Sequence, residues 1–251
     1  MTKAVLYQGD CLNILPLIPD GSVDLILADL PYGTTRNKWD SVIDLEKLWK
    51  QYKRVTKPSA AIVLFAQSPF DKSLAMSNFL LYRYEWIWEK TSATGFLNAK
   101  RMPMKAHENL LVFYQRLPTY NPQKTNGHVR KVSTAHHKRN SKRTANYNEH
   151  GLTTYDSTER YPRDVLQFPN DRQKSAIHST QKPVALCEYM VRTYTNPGET
   201  VLDNVFGSGS IILGALNEGR NAIGIEKDEG YFSEAADRIT SAYPNMVELC
   251  Y

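Results

Sequence analysis

The sequence predicts an α/β fold, in which a mostly parallel, doubly wound sheet carries a basic insert. Short β-branched or aromatic runs alternate with stretches of helical spacing through residues 1–115, and again through 178–251. Strands that alternate with helices indicate a parallel sheet covered on both faces. Between the two parts, residues 116–177 lose this rhythm and are rich in polar and basic residues. That region is too long for a plain connection, which indicates a functional insert or a partly disordered one.

The first part, residues 1–115, contains five predicted strands and two predicted helices. The strands are the apolar runs AVLYQGD, VDLILAD, AAIVLFA, YEWIW and NLLVFY. Helical spacing of apolar residues predicts helices over 44–54 and 71–81. Asp44 and Asp71 stand at their starts, where an aspartate is a favoured N-cap, and we expect both to cap.

The last part, residues 178–251, returns to α/β order. Pro183–Thr195 places its apolar residues along one stripe and is predicted to be a helix. TVLDN is a predicted strand, FGSGS a tight turn, and IILGALNEG a helix closed by Gly219. The strand NAIGIEKD and the helix GYFSEAADRITSAY follow.

Length and composition narrow the class of protein. A chain of 251 residues can bury one substantial core and carry a smaller subdomain. No run approaches the roughly 20 apolar residues of a membrane helix, and no signal-peptide cleavage site is apparent. Cys11, Cys187 and Cys250 are scattered without metal-like spacing, which argues against a disulfide scaffold and a metal site. We therefore expect a cytoplasmic protein without a metal.

The net charge of +5 is concentrated in one block. Between Asn109 and Asn148 there is no Asp or Glu, and there are eight Lys or Arg residues. The remainder of the chain is therefore mildly acidic. A block of cations interleaved with Tyr and His suits a polyanion such as DNA, although a solvated flexible loop is the plainer alternative.

A glycine turn in the last part has the order expected of a nucleotide-type cofactor site. A strand ends in Asp203, the turn Phe206-Gly207-Ser208-Gly209-Ser210 follows, and then a helix begins. Glycines let a backbone approach a ligand, and a helix N-terminus offers free N–H groups. The next strand ends with Glu226, where a carboxylate can accept both ribose hydroxyls. Ile212 stands at the third glycine of a dinucleotide turn, which disfavours NAD; a tight turn followed by a solvated Glu remains the alternative.

The run VDLILADLPYG places Asp29 at the carboxyl end of an apolar strand, where ligands bind in open parallel sheets. Pro31 disfavours helical geometry at Leu30, so the Leu30 carbonyl can point outward beside the Asp29 carboxylate. Two neighbouring acceptors suit an –NH₂ group. A proline turn capped by Asp29 is the alternative for this short motif alone.

Together these segments resemble the β-type amino methyltransferases of DNA. ADLPYG, VLDNVFGSGS and IGIEKD are similar to that family's signatures, with Leu30 where many members have Pro. GDCLNILPLIPDGSVDLIL, KAHENLLVFYQ and HSTQKP also resemble family segments, in the same circularly permuted order. The resemblance spans nearly the whole chain except the basic region, and it implies a Rossmann-like methyltransferase sheet.

The resemblance implies S-adenosylmethionine as the cofactor and double-stranded DNA as the substrate. Asp29 and the Leu30 carbonyl would hold the amino group of a flipped base, within the turn that includes Pro31 and Tyr32, and Tyr32 would stack on that base. Trp39 would wall the pocket or belong to the core. The residues expected near the cofactor are Asp10, Cys11, Lys182, Asp203, Phe206, Gly207, Ser208, Gly209 and Glu226. The cations expected to contact DNA are Lys124, Arg130, Lys131, Lys138, Arg139, Lys142 and Arg143.

The target atom predicted for this chain is N6 of adenine. Chemistry at cytosine C5 needs a nucleophilic Cys, in that group within a Pro-Cys pair, and the chain has none. Cytosine N4 stays open, because it presents the same amino geometry, but family members acting there more often begin the turn with Ser. An RNA or protein amino methyltransferase, a non-catalytic nucleic-acid-binding protein and a dehydrogenase are the alternatives. Dimers are common in the resembled family, so a homodimer is one option for the assembly.

Overall fold

The computed structural model describes residues 2–33, 41–134, 154–170 and 181–251. Trp39, the cations Lys138, Arg139, Lys142 and Arg143, and the start of the HSTQKP segment lie outside the described residues. The chain divides into a larger unit, Met1–Asn121 with Asp164–Tyr251, and a smaller unit, Pro122–Arg163. Among the described helices, none combines the length and apolar character needed to cross a membrane.

The larger unit is built on one sheet. The strands in the described part of the chain are β1 (Ala4–Gln8), β2 (Val23–Ala28), β3 (Thr56–Ala66), β4 (Tyr82–Thr94), β5 (Lys105–Phe113), β6 (Lys131–Ser133), β7 (Tyr155–Ser157), β8 (Val165–Phe168), β9 (Thr200–Asp203), β10 (Asn221–Glu226) and β11 (Val247–Cys250). Within the described residues the sheet has nine strands in the order β11-β1-β10-β9-β2-β3-β5-β4-β8. Strand β5 is antiparallel to β3 and β4, and the other neighbouring pairs are parallel. The predicted mostly parallel sheet is confirmed.

Helices cover both faces of this sheet. They are α1 (Cys11–Ile14), α2 (Leu45–Val55), α3 (Phe70–Ser77), α4 (Val184–Tyr194), α5 (Ser210–Asn217) and α6 (Glu229–Ala242). Side chains of a strand alternate between faces, and β2 shows the result. Its Leu25 and Leu27 pack in a core with α4, α5 and α6, whereas Ile26 and Ala28 pack in a second core with α1, α2 and α3. Because β2 is apolar on both faces, both faces of the sheet have to be covered by helices, and this gives the doubly wound arrangement.

The two predicted N-caps have different outcomes. Asp44 caps α2 as predicted, because its carboxylate accepts from the backbone N–H of Lys47 at 3.1 Å. The prediction for Asp71 is wrong, since Pro69 is the N-cap of α3. Asp71 instead lies buried in the first turn of the helix, where its carboxylate accepts from the side-chain amide of Asn109 on β5 at 2.9 Å. A tertiary hydrogen bond therefore takes the place of the local cap.

The sheet has a switch point between β9 and β2, which are parallel neighbours. From β9 the chain passes through α5 to β10 on one side, and from β2 it passes through α2 to β3 on the other. Connections that depart in opposite directions leave a crevice outside the carboxyl ends of the two strands. The fold thus brings the turn after β2 and the turn after β9 to one crevice, although about 170 residues of sequence separate them.

The smaller unit contains the antiparallel pair of β6 and β7 and an isolated bridge between Thr125 and Arg160. The run VLQF, grouped by sequence with the region 116–177, forms β8 and pairs with β4 in the larger unit. The functional division at 115 and 177 stays a prediction.

Candidate active site

A cavity of about 630 Å³ lies at the carboxyl ends of β2 and β9. Asp29 and Pro31 of the DLPY turn line it, and so does the glycine turn after β9. The lining residues that sequence analysis assigned to the cofactor are Asp10, Cys11, Lys182, Asp203, Phe206, Gly207, Ser208 and Glu226. Gly209, Leu30 and Tyr32 are not among the lining residues. The structure therefore brings the two predicted turns to one cavity.

The glycine turn is held to the end of β10 through Glu226. One carboxylate oxygen of Glu226 accepts from the backbone N–H of Gly207 at 2.9 Å, and the other accepts from that of Asp228 at 2.8 Å. Gly207 has a φ of +48°, a conformation that favours glycine. Burial raises the pKa of Glu226, and the backbone N–H groups oppose that rise. Two fixed donors thus aim a carboxylate at the cavity.

Gly209 is required by packing rather than by the cavity. Its φ is +76°, and a Cβ atom there would lie 2.8 Å from Cδ1 of Ile239 on α6. The residue is the N-cap of α5, so it sets the direction in which that helix leaves the turn. Packing against α6 and the positive φ therefore explain why glycine occupies position 209.

The residues after β9 include two buried polar side chains. Asp203 is buried and accepts from the backbone N–H of Val205 at 3.1 Å, and burial raises its pKa well above the ordinary value. Asn204 also lines the cavity, and its Oδ1 accepts from the hydroxyl of Tyr52 at 2.5 Å. Among the described residues, the buried Oε1 of Gln181 has no hydrogen-bond partner, and the buried Nδ2 of Asn204 has none other than the neighbouring thiol of Cys11. Asn204 directly follows Asp203 in the sequence, but it was not among the residues predicted to lie near the cofactor.

Asp10 and Cys11 lie at the start of α1. Asp10 caps this helix by accepting from the N–H of Leu12 at 2.9 Å, and its second oxygen accepts from Nζ of Lys227 at 3.0 Å. Burial opposes ionisation of Asp10, but the hydrogen bond from Lys227 lowers the pKa below its ordinary value. Burial raises the pKa of Cys11 to about 11, so its thiol is neutral at pH 7. The pair offers the cavity one fixed carboxylate and one apolar contact.

The carboxylate of Asp29 is held by two donors. Its Oδ1 accepts from the hydroxyl of Tyr32 at 2.8 Å, and its Oδ2 accepts from Nζ of Lys182 at 2.6 Å. Burial raises the pKa of Asp29; Lys182 lowers it, and the nearby Glu108 raises it. A carboxylate has about four acceptor positions, so two remain for a substrate. The side chain is 24% exposed, which leaves it accessible from the cavity.

The DLPY turn is also fixed by packing. The side chain of Leu30 is buried in the core beneath the turn. The ring of Tyr32 stacks on Phe70 of α3, with centroids 5.2 Å apart and planes inclined by 24°. Sequence analysis missed Phe70, which occupies one face of the ring that was expected to stack on a base.

Lys182 belongs to a buried ionic network that sequence analysis did not anticipate. Its Nζ lies 3.2 Å from Oε2 of Glu108, and Oε1 of Glu108 accepts from Lys90. The side chains of all three are at most 10% exposed. Buried charges are costly unless they are paired, so the network fixes the ammonium of Lys182 against Asp29. The available signal was a charged residue directly before one apolar strand run, in HENLLVF, and directly after another, in WIWEK.

The described cations of the smaller unit differ in their pairing. Lys124 pairs with Glu159 at 2.9 Å, and Arg130 forms two hydrogen bonds to Asp156 at 2.7 and 2.6 Å. Lys131 is exposed, with no ion pair in the described part of the unit. Two of the cations predicted to contact DNA are therefore neutralised by acids that follow the acid-free stretch.

The profile of the N6/N4 DNA methylase family matches residues 23–237. The chain belongs to this family. It is 27% identical over 276 residues to the Type II methyltransferase M.HinfI of Haemophilus influenzae, covering 96% of this chain and 69% of that one. It is 27% identical over 252 residues to the Type II methyltransferase M1.MboII of Moraxella bovis, covering 92% and 94%.

Solved structures agree on the fold. The complex of M1.HpyAVI with S-adenosylmethionine has a TM-score of 0.61 at 20% identity and covers 94% of this chain and 98% of that one. The cytosine-N4-specific PvuII DNA methyltransferase has a TM-score of 0.68 at 16% identity and covers 100% and 95%. The protein is thus a DNA methyltransferase of the N6/N4 family, and its cofactor is S-adenosylmethionine.

Proposed function

We propose that this protein methylates N6 of adenine in double-stranded DNA, on a base flipped out of the helix. The observation that carries the proposal is the position of Asp29, whose carboxylate reaches the same cavity as the glycine turn. Asp29 also favours adenine, because family members that act on cytosine N4 more often have Ser there. Cytosine N4 is the second candidate, supported by the cytosine-N4 specificity of the structurally similar PvuII DNA methyltransferase.

The cavity has features that fit S-adenosylmethionine. Its volume of about 630 Å³ lies in the range of small-molecule sites. Glu226 is aimed by two backbone donors and would accept the ribose hydroxyls. Asn204 and Gln181 line the cavity, and the buried Oε1 of Gln181 has no hydrogen-bond partner among the described residues. Buried polar atoms are rarely left unpaired, and a polar ligand would satisfy this one.

We assign the remaining cofactor contacts from the positions of the residues that line the cavity. Asp10 and Cys11 would lie near the adenine moiety, and Gly207 and Ser208 would bring the backbone close to the ligand. Phe206 would contribute an apolar surface, and Asp203 would hold the turn in shape. When bound, the cofactor supplies a methyl group on a sulfonium, which is already activated for transfer.

Asp29 would act on the amino group. An adenine N6 lone pair is delocalised into the ring, and hydrogen bonds from N6–H to Asp29 and to the Leu30 carbonyl favour a more basic nitrogen. The same carboxylate would stabilise the positive charge that develops on the nitrogen as it accepts the methyl group and the methyl–sulfur bond breaks, with the neutral thioether as the leaving group. Asp29 is then placed to take the proton that the nitrogen loses. Its raised pKa makes it a better proton acceptor than an exposed aspartate.

Tyr32 would contact the flipped base through its aromatic ring, which stacks on Phe70. Its hydroxyl donates to Asp29, so the ring and the carboxylate keep a fixed relation. A base that leaves the duplex loses stacking, and an aromatic side chain replaces part of it. The DLPY turn would thus supply both the aromatic ring that stacks on the base and the carboxylate that binds its amino group.

The basic region would bind the DNA backbone. Since Lys124 and Arg130 are already paired, we expect the main contribution from the other predicted cations: Lys131, Lys138, Arg139, Lys142 and Arg143. Neutralising the last four should flatten the slope of log K against log salt by up to about 3.6, because each phosphate contact contributes about 0.9. The slope is measured by fluorescence anisotropy with duplex DNA. Unchanged salt dependence would dismiss the basic region as the contact.

Identifying the methylated nucleoside tests the proposal. Unmethylated genomic DNA is incubated with the protein and isotopically labelled S-adenosylmethionine, hydrolysed, and analysed by mass spectrometry, with modified-base sequencing to locate the site. We expect label in N6-methyldeoxyadenosine. Label in N4-methyldeoxycytidine would select the second candidate. A parallel incubation with a hairpin RNA that becomes labelled, while the DNA does not, would refute the proposal.

A further inference from the structure

The connection between β4 and β5, residues 95–104, lies on the edge of the sheet that carries Asp29. Strand β5 is antiparallel to both β3 and β4, so β4 ends at the same edge as β2 and β3. Lys105 anchors the base of this connection, because its Nζ donates to Oε1 of Gln67 at 2.9 Å, just after β3. We call residues 95–104 the β4–β5 loop.

The β4–β5 loop is locally ordered. Gly95 adopts a φ of +91° and begins a 3₁₀ turn at Phe96–Asn98. The N–H of Asn98 donates to the Gly95 carbonyl at 2.9 Å, and the N–H of Arg101 donates to the Asn98 carbonyl at 2.8 Å. The side chains at the tip are therefore displayed by a folded turn.

That turn exposes large apolar side chains. Phe96 is 78% exposed and Leu97 is 97% exposed, and Met102 and Met104 beside them are exposed as well. Apolar surface in water costs roughly 25 cal/mol per Å², and clustered exposed apolar side chains mark interaction sites. The tip therefore has the character of a surface that is covered in a bound state.

The charge around the tip identifies the chemistry of its partner. From residue 90 to residue 107 there is no Asp or Glu, and the exposed cations of this stretch are Lys100, Arg101 and Lys105. The side chain of Lys90 is buried and paired with Glu108. Lys100 and Arg101 are exposed, and their side chains form no hydrogen bond or ion pair within the described part of the chain. Free cations beside apolar side chains suit a polyanion with an apolar interior, which describes duplex DNA.

We propose that the β4–β5 loop is a DNA wedge. Phe96 and Leu97 insert at the base step beside the extruded nucleotide, and Lys100 and Arg101 contact flanking phosphates. Apolar side chains that enter a base step offset part of the stacking lost when a base leaves the duplex. A second copy of the chain fits this surface less well, because an isologous contact would bring its cations together. The proposal rests on DNA methylation by base flipping.

A double variant, Phe96→Ser with Leu97→Ser, tests the wedge. The matched control is Phe79→Ser with Leu80→Ser, since that pair is also exposed, at 63% and 86%, but precedes β4 at the opposite edge of the sheet. Methylation is measured on a duplex with the recognised site, and on the same duplex with an abasic position opposite the target base.

On the intact duplex we expect the loop variant to lower kcat/KM by roughly tenfold to hundredfold, as expected from the worth of base stacking. On the abasic duplex the loss should largely disappear, because the target base is already unpaired. The control variant should resemble the native protein on both. An equal loss on both duplexes, or a loop variant that behaves like the control, would overturn the wedge.

Two further readouts complete the test. With 2-aminopurine as the target base, the native protein should raise its fluorescence and the loop variant should not; equal signals would refute the wedge even if no methylation occurred. Absence of methylation by the native protein would instead refute the proposed function. If the loop variant converted a dimer into a monomer in sedimentation, a second copy of the chain would be the occupant instead.

Discussion

Replacing Asp29 with asparagine keeps the size of the side chain and removes its charge. The carboxylate is held by donors at 2.8 and 2.6 Å, so it is aligned before substrate binds. Removing one preorganised group that stabilises developing charge costs about 3 kcal/mol. That cost corresponds to a fall of roughly 10²-fold in kcat. Asp29→Ala, which removes both oxygens, should abolish methylation.

Asp29→Asn should have a limited effect on the free energy of unfolding. Breaking a buried ion pair costs about 3–5 kcal/mol when it leaves a charge alone. Here Lys182 keeps Glu108 at 3.2 Å, and Asp29 is 24% exposed, so we expect about 1–2 kcal/mol. Single-turnover methylation with labelled cofactor measures the rate, and urea unfolding measures the stability.

Asp24→Asn is the matched control. Asp24 lies at the other end of β2 and accepts from Nζ of Lys57 at 2.7 Å and from the N–H of Thr200 at 3.0 Å. This variant should lose stability while its kcat stays close to the native value. If Asp29→Asn turned over as fast as Asp24→Asn, Asp29 would not be the acceptor of the amino group.

Three further predictions concern the surroundings of the site. Glu226→Gln should weaken cofactor binding by about tenfold to hundredfold in calorimetry, because a hydrogen bond to a charged group is worth 1.5–3 kcal/mol; unaltered affinity would place the ribose elsewhere. Glu108→Gln removes an anion that raises the pKa of Asp29, so the acid limb of the kcat profile should move to lower pH; a limb that stays or rises would contradict the network. Gly209→Ala should cost about 1–3 kcal/mol in urea unfolding, owing to its φ of +76° and the contact with Ile239; native stability would contradict that packing.

Much of the fold could be predicted from sequence because the strands are apolar runs with clear limits. VDLILAD became β2 and NAIGIEKD became β10, each within a residue or two of the predicted ends. The crevice could also be predicted, since parallel strands end at one edge and the two turns follow β2 and β9.

The pairing of the side chains could not be predicted in this way. Asp71 looked like a cap and instead bonds Asn109 on a distant strand. Lys182 was expected near the cofactor, and it lines the cavity, but its ammonium also binds Asp29. Local spacing carries no information about such partners, because tertiary packing selects them.

A similar limit applies to charge counting. The stretch 109–148 contains no acid, and seven of its cations were predicted to contact DNA. Asp156 and Glu159 follow soon after it and pair with Arg130 and Lys124. A count of charges within one sequence window misses acidic residues outside the window that the fold places next to its cations.

The most direct measurement is a crystal structure of the protein with S-adenosylhomocysteine and a duplex containing the recognised site. We predict an extruded adenine with its amino nitrogen about 2.7–3.2 Å from Asp29. The nitrogen should face the cofactor sulfur across the cavity beside Phe206 and Gly207. A target base that stays in the duplex, or an amino group bound away from Asp29, would contradict the account.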